Sequence, residues 1–223
     1  MTKTPNTTKN GIILNSLRAA LGLFLFGLGV HLTIQANIGV GPWDAFNLGL
    51  SGTFGIKYGT ASIIVSLIIL AIDVFLREPI GIGMFLDAFV VGKTVDLFNY
   101  LGIIPMQETI FSGLAMMLAG LVIESFSLYI YMSAALGCGP RDTLLVALAK
   151  RIRKVPIGAI SIVMLAVVTF IGWRLGGSIG IGTIICAFLT GPIMQLAFHV
   201  VGFVATDVKH QDILGSLRVF RSK

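Results

Sequence analysis

Gly39-Val40-Gly41-Pro42-Trp43-Asp44 returns 98 positions later as Gly137-Cys138-Gly139-Pro140-Arg141-Asp142. Its surroundings return with it. Ile80-Gly81-Ile82-Gly83 comes back as Ile179-Gly180-Ile181-Gly182, now 99 positions on. Gly59, Ala88-Phe89 and Gly92 recur in that register at Gly158, Ala187-Phe188 and Gly191. Ahead of the phrase, Gly22-Leu23 and Ala36 match Gly120-Leu121 and Ala134. Self-similarity at a fixed offset marks a duplicated structural unit. We therefore expect two homologous repeats, 14–103 and 104–206, between a polar tail at 1–13 and a basic tail at 207–223.

Composition says where such a unit lives. The 223 residues are 56% hydrophobic and 12% charged, with a mean hydropathy of +0.95. A soluble domain carries about a quarter charged residues, so much of this surface must face lipid. Leu17 to Ile34, Thr60 to Leu76, Ile110 to Met132 and Ile157 to Ile171 are apolar runs near the ~17–25 residues of a membrane-crossing helix. The two-residue alternation of a membrane barrel is absent. The expected fold class is an all-α polytopic membrane protein with about four helices per half, six to eight of them spanning.

The net charge of +6 does not imply nucleic acid, because the basic residues sit at helix ends and in the tails. That placement is the positive-inside pattern. The first apolar run exceeds a signal-peptide core and is followed by Thr33-Ile34-Gln35-Ala36-Asn37, a poor cleavage site, so it reads as a retained helix. Cys138 and Cys186 fit neither a disulfide framework nor a metal site.

In chain order, helices are expected at about 16–35, 43–50, 59–76, 84–101, 108–132, 140–154, 156–175 and 182–206. The second of each half opens on the repeated phrase. Gly39, Gly41, Gly137 and Gly139 supply the turn. Pro42 and Pro140 stand at the first helical position, where the missing N–H costs nothing, and Asp44 and Asp142 offset the positive helix end. Trp43 to Leu50 looks too short to cross, whereas the basic cluster Lys150-Arg151-Arg153-Lys154 ends the other second helix as a short or tilted helix emerging into the cytosol would. If neither crosses, six spans remain and the halves are inverted; if both cross, the repeats run parallel. Charge counting satisfies either arrangement, and both place N- and C-termini in the cytoplasm. Leu214, Leu217 and Phe220 at helical spacing suggest a tail lying on the membrane surface.

Ionisable groups within apolar helices are expensive and so mark functional candidates. Asp87, Lys93 and Asp96 fall in the fourth helix, Glu124 in the fifth and His31 in the first; Gln195, in the eighth, aligns with Asp96. Plainer readings stand beside these. Asp44 and Asp142 make good helix starts on their own, Lys93 and Asp96 are close enough in sequence to neutralise each other, and His31 can be satisfied by packing. No catalytic residues, metal site or cofactor are predicted: there is no Ser elbow, no Cys-x-x-Cys and no Walker loop, and Gly-x-Gly here precedes Pro rather than a phosphate-binding helix.

The Gly-x-Gly-Pro-Trp-Asp phrase, followed by Asn47-Leu48-Gly49-Leu50-Ser51 and by Ile179 to Thr183 in the second half, resembles the YczE/YyaS/YitT family of bacterial integral membrane proteins. Arg141 stands where the first phrase has Trp43, so the two copies need not share a role. The resemblance implies an inner-membrane protein and little about activity. From the residues themselves, the expected function is a small secondary transporter or permease for a small molecule. The alternative is an accessory, regulatory or substrate-binding membrane subunit. A homo-oligomer or a partner protein remains open, and no enzyme activity is expected.

Overall fold

A computed structural model describes residues 9–205 and 208. Among the described residues there are eight α-helices and no strand. They are α1 (Lys9–Gln35), α2 (Pro42–Phe54), α3 (Tyr58–Phe75), α4 (Ile82–Leu101), α5 (Ile110–Ser133), α6 (Pro140–Arg151), α7 (Ile157–Arg174) and α8 (Ile181–Val200). Five of these, α1, α3, α5, α7 and α8, are long and apolar enough to cross a membrane. α4 has the length but carries Asp87, Lys93 and Asp96. The protein is a polytopic all-α membrane protein.

Several boundaries differ from the sequence expectation. α1 starts at Lys9, so part of the expected polar tail is helix, and the tail segment from 209 lies outside the described residues. α2 runs past Ser51-Gly52-Thr53 to Phe54. Ser51 Oγ donates to the Ile56 carbonyl across that end at 2.5 Å, and Gly55 closes the helix in the left-handed conformation (φ 64°). α6 stops at Arg151, before the rest of its basic cluster, and α8 ends at Val200, where left-handed Gly202 follows.

The centre of the bundle is α1 against antiparallel α5, with backbones brought close by glycine. A Cβ on Gly22 would strike the Tyr131 amide and the Ser127 carbonyl, and one on Gly120 would strike Thr33 and the Gly29 carbonyl. Small residues at such crossings are how helices gain packing energy in lipid, where no hydrophobic force drives them together. α4 runs alongside α1 (Gly27 on Val91 and Thr94) and α8 alongside α5.

Positions sharing the 98–99 register meet in exchanged pairs. Gly83 N–H donates to the Leu136 carbonyl at 2.8 Å, and Gly182 N–H to the Ile38 carbonyl at 2.7 Å. Gly39 and Gly137 both take positive φ, 102° and 112°. Gly39 lies against Gly180 at the start of α8, and Gly137 against Gly81 at the start of α4.

α2 and α6 do not traverse the bundle. Their starts come together at its centre, with the Arg141 guanidinium 4.9 Å from the centroid of the Trp43 ring. Their ends diverge to opposite ends of the bundle. Thr53 Oγ1 donates to the Leu175 carbonyl at the close of α7, and Arg151 Nη2 to the Leu76 carbonyl at the close of α3.

Candidate functional site

Where the two short helices converge, they and five longer helices line a cavity of about 320 Å³. α1 gives Leu23 and Phe26, α3 Ser62 and Ser66, and α4 Asp87 and Val91. α5 gives Glu124, Ser125, Leu128 and Tyr131, and α8 gives Thr190 and Met194. The short helices bring Trp43, Arg141 and Asp142, with Gly139 just ahead of α6.

Proline at the first helical position explains why these side chains arrive together. It fixes each helix start immediately after the glycine turn, so the next two residues, Trp43-Asp44 and Arg141-Asp142, sit in the first turn, at the centre. Glycine lets the backbone approach: a Cβ on Gly139 would stand 3.1 Å from Asp87 Oδ2, and one on Gly29 would collide with the Glu124 side chain.

The charges are unequal. Arg141 is the one cation in the wall, and Asp44, Asp87 and Asp142 all lie within its electrostatic reach. Its guanidinium stacks on Trp43, a favourable cation–π arrangement. Among the described residues it makes no ion pair within 4.0 Å. Asp44 is anchored instead by Tyr58, whose hydroxyl donates to Asp44 Oδ1 at 2.7 Å, with Asn47 Nδ2 behind it at 3.5 Å from Tyr58 Oη. The corresponding positions in the second half, Leu145 and Ile157, cannot hold Asp142 in this way. Asp142 is exposed and marks where the cavity opens. The Tyr131 hydroxyl is buried and, among the described residues, without a hydrogen-bond partner.

The candidates from sequence divide into two sets. Asp87, Glu124, Asp142 and Gly139 line the cavity, and Asp44 lies behind its wall; Gly39, Gly41, Pro42, Gly137 and Pro140 shape the two helix starts. The others lie elsewhere. Asp96 accepts from the Gly59 amide at 2.8 Å, clamping the start of α3 to α4. Lys93 is exposed on the outer side of α4 in a row with Phe85, Phe89 and Leu97, and does not pair with Asp96. Gln195 is exposed. His31 is fully buried, stacked on Phe98 with ring centroids 5.7 Å apart, and neither nitrogen is hydrogen-bonded among the described residues. The sequence reading missed Tyr58, Ser62, Ser66 and Tyr131. Hydroxyls are commonplace in apolar helices, and only packing shows which of them face inward. Cys138 and Cys186 are free thiols.

A membrane bundle with two short helices meeting at a polar centre is the class that the fold and cavity define. Within that class, the family described as "Family of unknown function (DUF6198)" matches residues 13–199, and the chain belongs to it. It is similar to "Uncharacterized membrane protein YczE" of Bacillus subtilis, 34% identical over 182 residues, 79% of this chain and 81% of that protein. "Uncharacterized protein YyaS" of the same organism is 27% identical over 188 residues, 81% of this chain and 90% of that protein. An "Uncharacterized protein" of Haemophilus influenzae is 25% identical over 179 residues, 80% and 81% respectively. No solved structure matches the chain.

Proposed function

We propose that the protein is a small secondary transporter, with no enzymatic role, that moves a small molecule by alternating access between two duplicated, inverted halves. α1, α3, α4, α5, α7 and α8 cross the bilayer; α2 and α6 start at the centre and run out to opposite sides. At ~1.5 Å per residue, the 13 residues of α2 and 12 of α6 cover well under the ~30 Å hydrocarbon thickness. Short helices at matching points of two halves, with a site between them, are the usual architecture of such carriers. The exchanged glycine contacts support the duplication. The single observation that carries the reading is the charged cavity at the meeting of the two helix starts. The termini lie on the cytoplasmic side of the inner membrane, as the positive-inside pattern requires. Labelling of Lys57→Cys from outside the cell but not of Arg77→Cys would accord with six spans; the reverse would overturn the arrangement.

Function is tested without knowing the substrate. A disulfide needs Cα atoms about 4.4–6.8 Å apart. At present nothing lies within 4 Å of a Cβ built on either Gly158 or Gly191. A Gly158→Cys/Gly191→Cys protein, with Cys138 and Cys186 replaced by Ser, should cross-link in membranes only if α7 and α8 close on each other. Absence of any cross-link under oxidation would sink the transport cycle.

A second reading, an accessory subunit, is favoured by Lys93. A lysine ammonium on an apolar outer face is costly in lipid, and a partner helix bearing a carboxylate would relieve it. This reading predicts a stoichiometric partner in native mass spectrometry that Lys93→Leu loses.

A further inference from the structure

We infer that the cavity takes a small organic cation, a protonated amine or quaternary ammonium with an apolar body. The inference rests on the transporter reading only in placing the ligand at the centre of the bundle.

Charge comes first. Asp87, Glu124 and Asp142 line the cavity against the single guanidinium of Arg141. Three carboxylates face one cation, and Asp44 lies close behind. None of the three lining carboxylates makes a hydrogen bond or ion pair among the described residues, whereas Asp44 is held by Tyr58. An anionic ligand would have to displace that excess. A positive nitrogen offsets it, and charge pairs strengthen as the surroundings lose water.

A second observation is independent of the carboxylates. Tyr131 lines the cavity, is 3% exposed, and its hydroxyl has no hydrogen-bond partner among the described residues. A buried hydroxyl left unbonded is costly, and a protonated amine, or a water brought in with a quaternary ammonium, would satisfy the oxygen.

Shape and chemistry then separate an organic cation from a metal ion. Among the described residues no three His, Cys, Asp or Glu side chains converge as a metal requires. The carboxylates are spread around the wall, with Asp87 and Asp142 on the α6 side and Glu124 on the α1–α5 side. The space between is apolar, from Leu23, Phe26, Leu128 and Met194. That is a surface for a diffuse charge carrying hydrocarbon. Arg141 occupies a face of Trp43, so the ligand's charge falls to the carboxylates rather than to an aromatic cage.

The test uses purified protein in detergent or nanodiscs and three probes of one size: benzyltrimethylammonium, benzyl alcohol and phenylacetate. Thermal shift and calorimetric titration should show saturable binding of the ammonium and neither of the other two. Glu124→Gln should weaken it by roughly tenfold or more, and Arg141→Gln should tighten it, an outcome that a folding defect would not produce. Equal binding of phenylacetate, or an Arg141→Gln protein that binds the ammonium more weakly while keeping its melting temperature, would overturn the inference. If the ammonium binds but the Gly158/Gly191 cross-link never forms, the transport cycle fails and the ligand class stands. If the cross-link forms and no ammonium binds, the ligand class alone fails.

Discussion

The pair α3/α4 and the pair α7/α8 are built on the same glycines and packed differently. At Gly59 a Cβ would collide with the Gly92 carbonyl and the Asp96 carboxylate, and the Gly59 amide donates to Asp96. At Gly158 and Gly191, the same positions in register, nothing lies within 4 Å. Gln195, in the place of Asp96, is exposed. One pair is zipped and clamped, and the other stands apart. The zipped pair lies nearer the bundle end where α1 stops; the open pair, with the exposed Asp142, lies nearer the end where α1 starts. If the halves are duplicated, as we propose, the difference is one of conformation, and the alternative state exchanges the two arrangements.

Substitutions can break that comparison. The largest effect is expected from Gly59→Leu, because a side chain there must displace the α4 backbone. It should destabilise the protein by about 1–3 kcal/mol or more, seen as a fall in detergent melting temperature. Gly158→Leu should leave this conformation's stability within about 0.5 kcal/mol yet block closure of α7 on α8. It should therefore abolish cross-linking between cysteines placed on those two helices. An equal loss of stability from both leucines would show that the open pair is not open.

Asp96→Ala removes the acceptor of the Gly59 amide and should cost about 1–2 kcal/mol. If the clamp holds the present state, the same change should raise the yield of the Gly158→Cys/Gly191→Cys disulfide. An unchanged yield would make Asp96 a helix anchor with no part in the cycle.

The smallest effect sharpens the comparison at the bundle ends. Glu78 accepts from Lys150 at 2.6 Å and from Arg151 at 3.1 Å, tying α6 to the α3–α4 connection. At the exchanged positions, Gly177 of the second half stands for Glu78 and Gly52 of the first for Lys150, so no charge pair forms there. The hydrogen bond from Lys150, and then the one from Arg151, holds the Glu78 carboxyl below the usual range. A folded value below the unfolded one gives stability that is present at neutral pH and lost as pH falls through the folded value. Lys150 and Arg151 are 57% and 43% exposed, so the contribution should stay under about 1 kcal/mol. Glu78→Gln should remove that part of the acid dependence from melting curves. A variant as acid-sensitive as the parent would place the dependence elsewhere.

Much of this was legible before any coordinates. Pro42 and Pro140 after paired glycines announced both short helices, because local backbone preference alone sets a helix start. Trp43 and Arg141 shared a register, yet that they would stack was hidden, since contact across halves depends on how the halves meet. Asp87 and Glu124 were flagged because charge in an apolar helix is costly wherever it points. Lys93 and Asp96 were flagged by the same rule, and there it could not tell inward from outward. Asp96 turned out to face α3, and Lys93 the outside of α4.

From the sequence alone come the membrane, the helix count, the repeated register and the family, because each follows from composition or from local order along the chain. The tertiary structure alone decided that α2 and α6 begin side by side, with Arg141 over the Trp43 ring. It also decided which charges share one cavity, and which of two equivalent glycine pairs is closed. Those are long-range matters: they turn on which helix faces meet, and glycines identical in sequence can be pressed together or left apart at little difference in local energy.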